Sequence, residues 1–199
     1  MFKREDFCYY ETTTLNMSEL SVYMTIDPAA SESKSADRTA ICVVGVNSAG
    51  HWFVLDHWAD RTKPIDTIDE MFRLASKWRP LKVGYEDVAY QTAIEDFLRK
   101  EMPLRNTFFR IEKLKAAKKK ELRIETALQP RFALRTIWFP ARTGWATEIE
   151  NELLAFPHGL HDDRIDALAY IDQLTVAPAI QRNQPSGYSW DKIPIAGRL

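Results

Sequence analysis

Residues Thr39–Val46 read TAICVVGV, and only the first side chain of the eight is polar. A run this short and this apolar is expected for a β-strand buried on both faces, because a half-buried strand would alternate. Two further β-rich segments bracket it. Ser21–Asp27 (SVYMTID) does alternate, with Val22, Met24 and Ile26 on one face and Tyr23, Thr25 and Asp27 on the other. Residues 51–58 (HWFVLDHW) follow a turn at Asn47-Ser48-Ala49-Gly50 and complete an antiparallel meander of three strands. The pattern then changes to alternating helix and strand. Ile65, Ile68, Met71/Phe72 and Ala75 recur at helical spacing over residues 65–78, and Pro80 stops that helix. A strand over 81–86 (LKVGYE), a helix over 91–100 with Ile94, Phe97 and Leu98, and a strand over 108–111 (FFRI) follow. Residues 116–128 form a charged helix and 137–139 a short extended piece, and helices close the pattern at 145–155 and 162–176. This order predicts an α/β domain with a single mixed sheet of about five strands, a meander followed by parallel strands, flanked by helices. Residues 1–20 read as an N-terminal arm or linker, 21–177 as the domain, and 178–199 as a polar C-terminal tail.

A chain of 199 residues, 45% of them hydrophobic, can build one substantial core and is not a disordered polymer. No apolar run approaches the ~20 residues of a membrane helix. The opening Met1-Phe2-Lys3-Arg4-Glu5-Asp6 is not followed by the apolar stretch of a secretory signal, so the chain is not expected to be secreted. Cys8 and Cys42 form no metal-type pair and read as packing residues in a reducing compartment. The formal net charge is −1, but it is unevenly spread. Residues 99–142 hold thirteen lysines and arginines against four glutamates, a local +9 that leaves −10 for the rest. Such a stripe either faces a polyanion or is simply a solvated helix face, and Lys118-Lys119-Lys120 fits both readings.

The acidic residues are concentrated where chemistry could use them. His161-Asp162-Asp163-Arg164-Ile165-Asp166-Ala167-Leu168-Ala169-Tyr170 places three carboxylates within five residues at the start of an apolar helix. Residues three and four apart share a helix face, so Asp162 and Asp163 each stand beside Asp166. Like charges that close destabilise the fold unless a cation neutralises them, and Mg²⁺ takes oxygen ligands of this kind. The alternative is an acidic first turn favoured by the helix dipole, with Asp162 or Asp163 as the cap. Asp27 and Glu86 each end a strand. If those strands are neighbours, their carboxyl ends converge, and a helix packed across that edge would add the 162–166 cluster. Alone, Asp27 could be a turn residue before Pro28, and Glu86 a surface carboxylate. Two metal ions ~3.5–4 Å apart stabilise the attacking and leaving oxygens of a phosphodiester displacement, and such a site needs no Ser or Cys nucleophile. The sequence has no G-x-S-x-G, H-E-x-x-H or C-x-x-C motif, and no G-x-x-x-x-G-K-[ST] phosphate loop, so no ATPase is assigned to it.

The succession IDPA, D-R-T-A, G-Y-E-D, K-x-x-R and F-P-x-G-x-H-D-D-x-x-D-A-L-A, spread over residues 23–174, resembles the nuclease domain of the large terminase subunit of tailed bacteriophages. The resemblance implies a ribonuclease-H-like fold. It implies that Asp27, Glu86, Asp163 and Asp166 are catalytic and bind Mg²⁺ or Mn²⁺, as two ions, with Asp162 as a secondary ligand. The D-x-x-D-A-L-A spacing is also similar to the last helix of Holliday-junction resolvases, which favours Asp163 and Asp166. Lys115, Lys118, Lys119 and Arg123 fall where the family carries a basic helix near DNA, Trp145 is a weaker DNA-surface residue, and His161 reads as structural. The implied activity is metal-dependent cutting of double-stranded viral DNA concatemers during packaging, at low sequence specificity, in the host cytoplasm. The implied partners are an ATPase motor, a small terminase and a portal protein. The motor that accompanies the family's nuclease domain is absent from this sequence, which suggests an excised domain, a split gene or a remnant. A junction-resolvase-like nuclease and a non-catalytic module that docks DNA or portal are the alternatives.

Overall fold

The alternation in SVYMTID is realised as strand β2 (Ser21–Asp27), whose two faces enter two separate cores. A computed structural model describes residues 1–28, 38–86, 91–115 and 119–175; the Ser-rich loop, Lys118 and the tail containing Tyr188 and Trp190 lie outside them. Strand β3 (Thr39–Val46) is antiparallel to β2, with Thr25 opposite Cys42 and Asp27 opposite Ala40. It is buried on both faces, as its composition requires: Ala40, Cys42 and Val44 enter one core, Ile41 and Val43 the other. Strand β4 (Trp52–Asp60) completes the meander, with a bulge at its Leu55, opposite Val43 and Val44 of β3.

Helix α1 (Pro64–Trp78) begins with proline at its first turn and ends on Arg79 in the left-handed region, whose N–H returns to Ala75 O. It leads into β5 (Lys82–Glu86), which lies parallel to β2 with Ile26 opposite Tyr85. Helix α2 (Gln91–Leu104) and strand β6 (Arg110–Leu114) follow, β6 running parallel to β5. Helix α3 (Lys120–Ala133), strand β7 (Ile137–Pro140), helix α4 (Gly144–Ala155) and helix α5 (Asp163–Leu174) end the described fold.

The sheet has seven strands rather than about five, and with β1 at Cys8–Tyr10 their order is β1-β7-β4-β3-β2-β5-β6. The two additional strands are short, and each depends on a partner distant in sequence. β1 (Cys8–Tyr10) runs parallel to β7, pairing Cys8 with Trp138, and β7 runs parallel to β4, pairing Trp52 with Ile137. Residues 1–20 therefore do not stand off as an arm. Phe2 and Phe7 pack on Phe132 at ring-centroid separations of 5.3 and 5.4 Å, and the Tyr10 hydroxyl donates to Val54 O at 2.8 Å. β6 lies at 110–114 instead of 108–111, leaving Phe108 exposed. Helices α2 and α3 each run on through a proline, Pro103 and Pro130. A proline costs a helix one backbone hydrogen bond; here it falls in the last turn or so, where Met102 and Phe132 are buried. Cys8 and Cys42 are free and buried. No described helix is long and apolar enough to cross a membrane.

One face of the sheet carries α1 and α2 over Val22, Met24, Ile26 and Val83. The other carries α5 against β2 and β3, flanked by α3 and α4. α5 is buried nearly all round, so its small residues Ala167 and Ala169 let it lie close on the strands. Thr25 Oγ1 donates to Ala167 O at 2.6 Å. Gly84 of β5 faces the same helix: a Cβ there would stand 2.8 Å from Leu114 Cδ2 and 2.9 Å from Leu174 Cδ1. Residues two apart in a strand share a face, so Asp27 follows Thr25, and Glu86 follows Gly84, onto the side occupied by α5.

Candidate functional site

Parallel neighbours bring the carboxyl ends of β2 and β5 together, and the N-terminus of α5 arrives at the same edge. Asp27, Asp163 and Asp166 are almost inaccessible there, at 7%, 1% and 1% exposure. Side chains 163 and 166 are one helical turn apart and face β2 and α3 together. The atom at their common focus is Nζ of Lys120, the first residue of α3. It lies 2.8 Å from Asp162 Oδ1, 2.8 Å from Asp163 Oδ1, 3.7 Å from Asp27 Oδ2 and 3.8 Å from Asp166 Oδ2. Four carboxylates from two chain segments 135 residues apart thus converge on one cation (27 to 162).

Two of the four carboxylates are also held from outside. Asp163 Oδ2 accepts the backbone N–H of Arg38 at 3.0 Å, which gives the residue just before β3 a structural task. Asp166 accepts a two-pronged bond from Arg123, Nε to Oδ1 at 2.7 Å and Nη2 to Oδ2 at 2.5 Å. The same guanidinium lies 4.2 Å above the Tyr170 ring. Asp162 sits at the N-cap position of α5, but its side chain bonds Lys120 and caps no backbone N–H. That task passes to Glu152 of α4, whose Oε2 accepts the Arg164 N–H at 3.1 Å.

Arg164 points away from the carboxylates because it lies 100° round the helix from Asp163. Its guanidinium is bound by Glu148, by Glu152 and by His57 Nδ1 at 3.0 Å, and so fixes the start of α5 against α4 and β4. Arginine only donates, so His57 Nδ1 is the acceptor and the imidazole is neutral. Burial, reinforced by the Arg164 charge, pushes its pKa down to about 3. His57 also stacks on Trp145 at 6.4 Å, so that tryptophan is half-buried packing.

The electrostatics follow from burial. Desolvation holds the Asp27 carboxyl well above the ordinary range, with Asp166 adding to the rise and Lys120 opposing it. Asp166 is raised by the same desolvation, against the pull of Arg123 and Lys120. Burial would lower the Lys120 ammonium, but Asp27, Asp162 and Asp163 outweigh it and hold its pKa above the lysine value. Glu86 is half-buried at the end of β5; its charge raises Asp27 and, after desolvation, the Tyr170 phenol. The Tyr170 hydroxyl is close enough to feel that charge but makes no hydrogen bond of ordinary geometry.

Of the residues the sequence singled out, Asp27, Asp162, Asp163 and Asp166 are in one cluster, and Glu86 adjoins it. The basic residues divide. Lys115 and Lys119 have exposed side chains, while the Lys115 backbone exchanges hydrogen bonds with the Gln173 side chain of α5. Arg123, expected on a DNA-facing helix surface, is instead buried on Asp166, because α3 turns that side toward α5. Lys120 was read only as part of the Lys118-Lys119-Lys120 run, with no role at the carboxylates, and Arg164 was not singled out. The i, i+3 spacing of Lys120 and Arg123, which puts two cations on one helix face, was the available signal.

Among the described residues, no three Asp, Glu, His or Cys side chains are arranged to hold a metal ion as they stand; the oxygens turn to Lys120 and Arg123 instead. The donor set nonetheless suits a hard divalent ion. It is all oxygen, it is buried, and it already surrounds a cation. Among the described residues, the cations paired with Asp27, Asp162, Asp163 and Asp166 are Lys120 and Arg123.

Comparison with known proteins identifies the family and the fold. Residues 24–172 match the family described as the terminase RNaseH-like domain. The large terminase nuclease from thermophilic phage G20c, solved with zinc bound, superposes with a TM-score of 0.58 at 11% identity, covering 83% of this chain and 92% of that one. Its magnesium-bound form gives 0.57 at 11% identity, covering 85% and 93%. The fowlpox virus Holliday junction resolvase gives 0.46 at 14% identity, over 77% and 99%, too loose a likeness to carry an argument. No curated protein matches the chain. The sheet, the helix that crosses its edge and the family match over three-quarters of the sequence lead to one conclusion: this chain has a ribonuclease-H-like fold and belongs to the terminase RNaseH-like domain family.

Proposed function

We propose that this protein is a divalent-metal-dependent DNA endonuclease that cuts double-stranded viral DNA concatemers during genome packaging, with low sequence specificity. The observation that carries the reading is the focus of Asp27, Asp162, Asp163 and Asp166 on one cation position, at the edge where β2 and β5 end. Asp27, Glu86, Asp163 and Asp166 are the proposed catalytic ligands, with Asp162 secondary, and two Mg²⁺ or Mn²⁺ ions the proposed cofactor. The phage nuclease of the same fold has been solved with zinc and with magnesium, which supports a divalent ion. Bound there, such ions supply Lewis-acid activation of water and charge stabilisation at the phosphate.

The chain's own groups have distinct tasks in this reading. Asp27 and Glu86, on adjacent strands, set the spacing of the ligands. Arg38 N–H and Arg123 fix the orientations of Asp163 and Asp166, leaving few rotamers to freeze when an ion enters. Desolvation and the neighbouring Asp166 hold the Asp27 carboxyl above the ordinary range, and a divalent ion bound beside it would oppose that rise. The exposed Lys115 and Lys119, with Lys118 in the same segment, offer phosphate contacts. Contacts of that kind carry no sequence information and weaken steeply with salt. The proposed partners, an ATPase motor, a small terminase and a portal protein, and the host-cytoplasmic setting follow from the family.

The test is supercoiled-plasmid cleavage in Mg²⁺ or Mn²⁺. Wild type should nick and linearise the plasmid. Asp27→Asn and Asp166→Asn, checked for native circular dichroism, should not. Normal cleavage by either purified variant overturns the assignment. Preference for a four-way junction over linear duplex would turn the reading toward a resolvase, and absence of cleavage and of metal binding toward a docking module.

A further inference from the structure

Nothing in the proposed reaction explains why a lysine should stand at the focus of the carboxylates. Its helix does not account for it, since a cation at a helix N-terminus opposes the macrodipole. The carboxylates do: an ammonium has three donors, and Lys120 aims its short contacts at Asp162 and Asp163 while staying within 3.8 Å of Asp27 and Asp166. A divalent ion ligated by the same oxygens at about 2.0–2.2 Å could not share that space with it.

We propose that Lys120 is a resident competitor cation: its ammonium holds the carboxylates together in the metal-free protein and must withdraw for a divalent ion to bind, so that it sets the ion concentration at which the site loads. The inference rests on the metal-site reading above. Two contrasts support it. Lys120 is the first residue of α3, its side chain is 30% exposed, and its flexible stem can swing into solvent without a change in the helix. Arg123, one turn deeper, is 10% exposed, two-pronged on Asp166 and stacked on Tyr170, so it stays as a fixed part of the wall. The cluster thus pairs one anchored cation with one that can leave. Lys120 accordingly lowers the apparent affinity for metal in proportion to the time it spends inside. In exchange it keeps buried carboxylates compensated when no ion is present.

Calorimetric titration with Mn²⁺ tests this, using the full chain, Lys120→Met, Lys120→Gln as a second variant in case the first folds poorly, and Lys119→Met as the exposed neighbour. If Lys120 is inside ten times as often as outside, its removal tightens Mn²⁺ binding about ten-fold. The expected result is that gain for both Lys120 variants and none for Lys119→Met. Without metal the Lys120 variants should melt below wild type, with the gap narrowing in saturating Mn²⁺. Unchanged or weaker Mn²⁺ binding in both Lys120 variants overturns the proposal while leaving the metal site standing. No binding by wild type or by any variant removes the metal site itself and this inference with it. A readout on the unmodified protein is lysine acetylation followed by mass spectrometry: Lys120 should react slowly without metal and faster with saturating Mg²⁺, and an unaltered rate counts against displacement.

Discussion

Arg123→Met separates two incompatible roles for one residue. As a DNA-facing arginine, Arg123 would be dispensable for folding. As the buried partner of Asp166, it would not. Asp166 is 1% exposed and its two oxygens take both prongs of the guanidinium, at 2.7 and 2.5 Å. Removing one member of a buried, hydrogen-bonded pair costs about 3–5 kcal/mol. The lower end applies, because Lys120 remains 3.8 Å from Asp166 and the orphaned carboxyl can take up a proton. For a domain of this size about 3 kcal/mol lowers the melting temperature by roughly 6–12 °C. The assay is urea denaturation at neutral pH with thermal melting alongside, for Arg123→Met, Asp166→Asn and the double variant. The double variant should recover much of the loss, with a coupling of at least about 2 kcal/mol. The deficit of Arg123→Met should shrink toward acid pH, where Asp166 is neutral. A loss below about 1 kcal/mol, the range of exposed ion pairs, together with no coupling, would refute the buried arrangement.

Two further outcomes follow from the packing around α5. Gly84→Ala should destabilise by about 1–3 kcal/mol, since its Cβ meets Leu114 and Leu174 inside 3.0 Å, and a wild-type melting curve would contradict the close approach of α5 to β5. Glu152 is pushed up to about 7 by burial, against the pull of Arg164. A carboxyl whose folded pKa is raised contributes stability that is full below its unfolded value of 4.5 and is lost as pH rises toward 7, by at most about 3 kcal/mol. Glu152→Gln should flatten that fall in melting temperature, and an unchanged pH profile would exclude the burial effect.

How far the sequence could be read depended on the range of the interaction. The alternation of Val22, Met24 and Ile26 against Tyr23, Thr25 and Asp27 is local, and the structure keeps it face for face. The burial of Thr39–Val46 on both sides was legible for the same reason. Asp27 and Glu86 could be recognised as strand ends, but their adjacency needed the β2–β5 pairing, which no local pattern encodes. β1 was missed because three residues carry no period and its partner β7 is 130 residues away, opposite Cys8. Lys120 read as part of a run facing either a polyanion or solvent, and Arg123 as a DNA-facing residue, because their partners, Asp163 and Asp166, lie 43 positions on. Arg164 sits among aspartates in sequence, yet helical geometry turns it to Glu148, Glu152 and His57 on the opposite side.

The central claim is that the carboxylates at the ends of β2 and β5 and the start of α5 form a divalent-metal site. Anomalous diffraction from crystals of the protein soaked in Mn²⁺ tests it most directly. The account predicts a Mn²⁺ peak ligated by Asp27 and by Asp163 or Asp166, with Glu86 at or next to the ion and the Lys120 ammonium moved away. Saturating Mn²⁺ with no peak at these residues, and Lys120 still seated among the four aspartates, would contradict it.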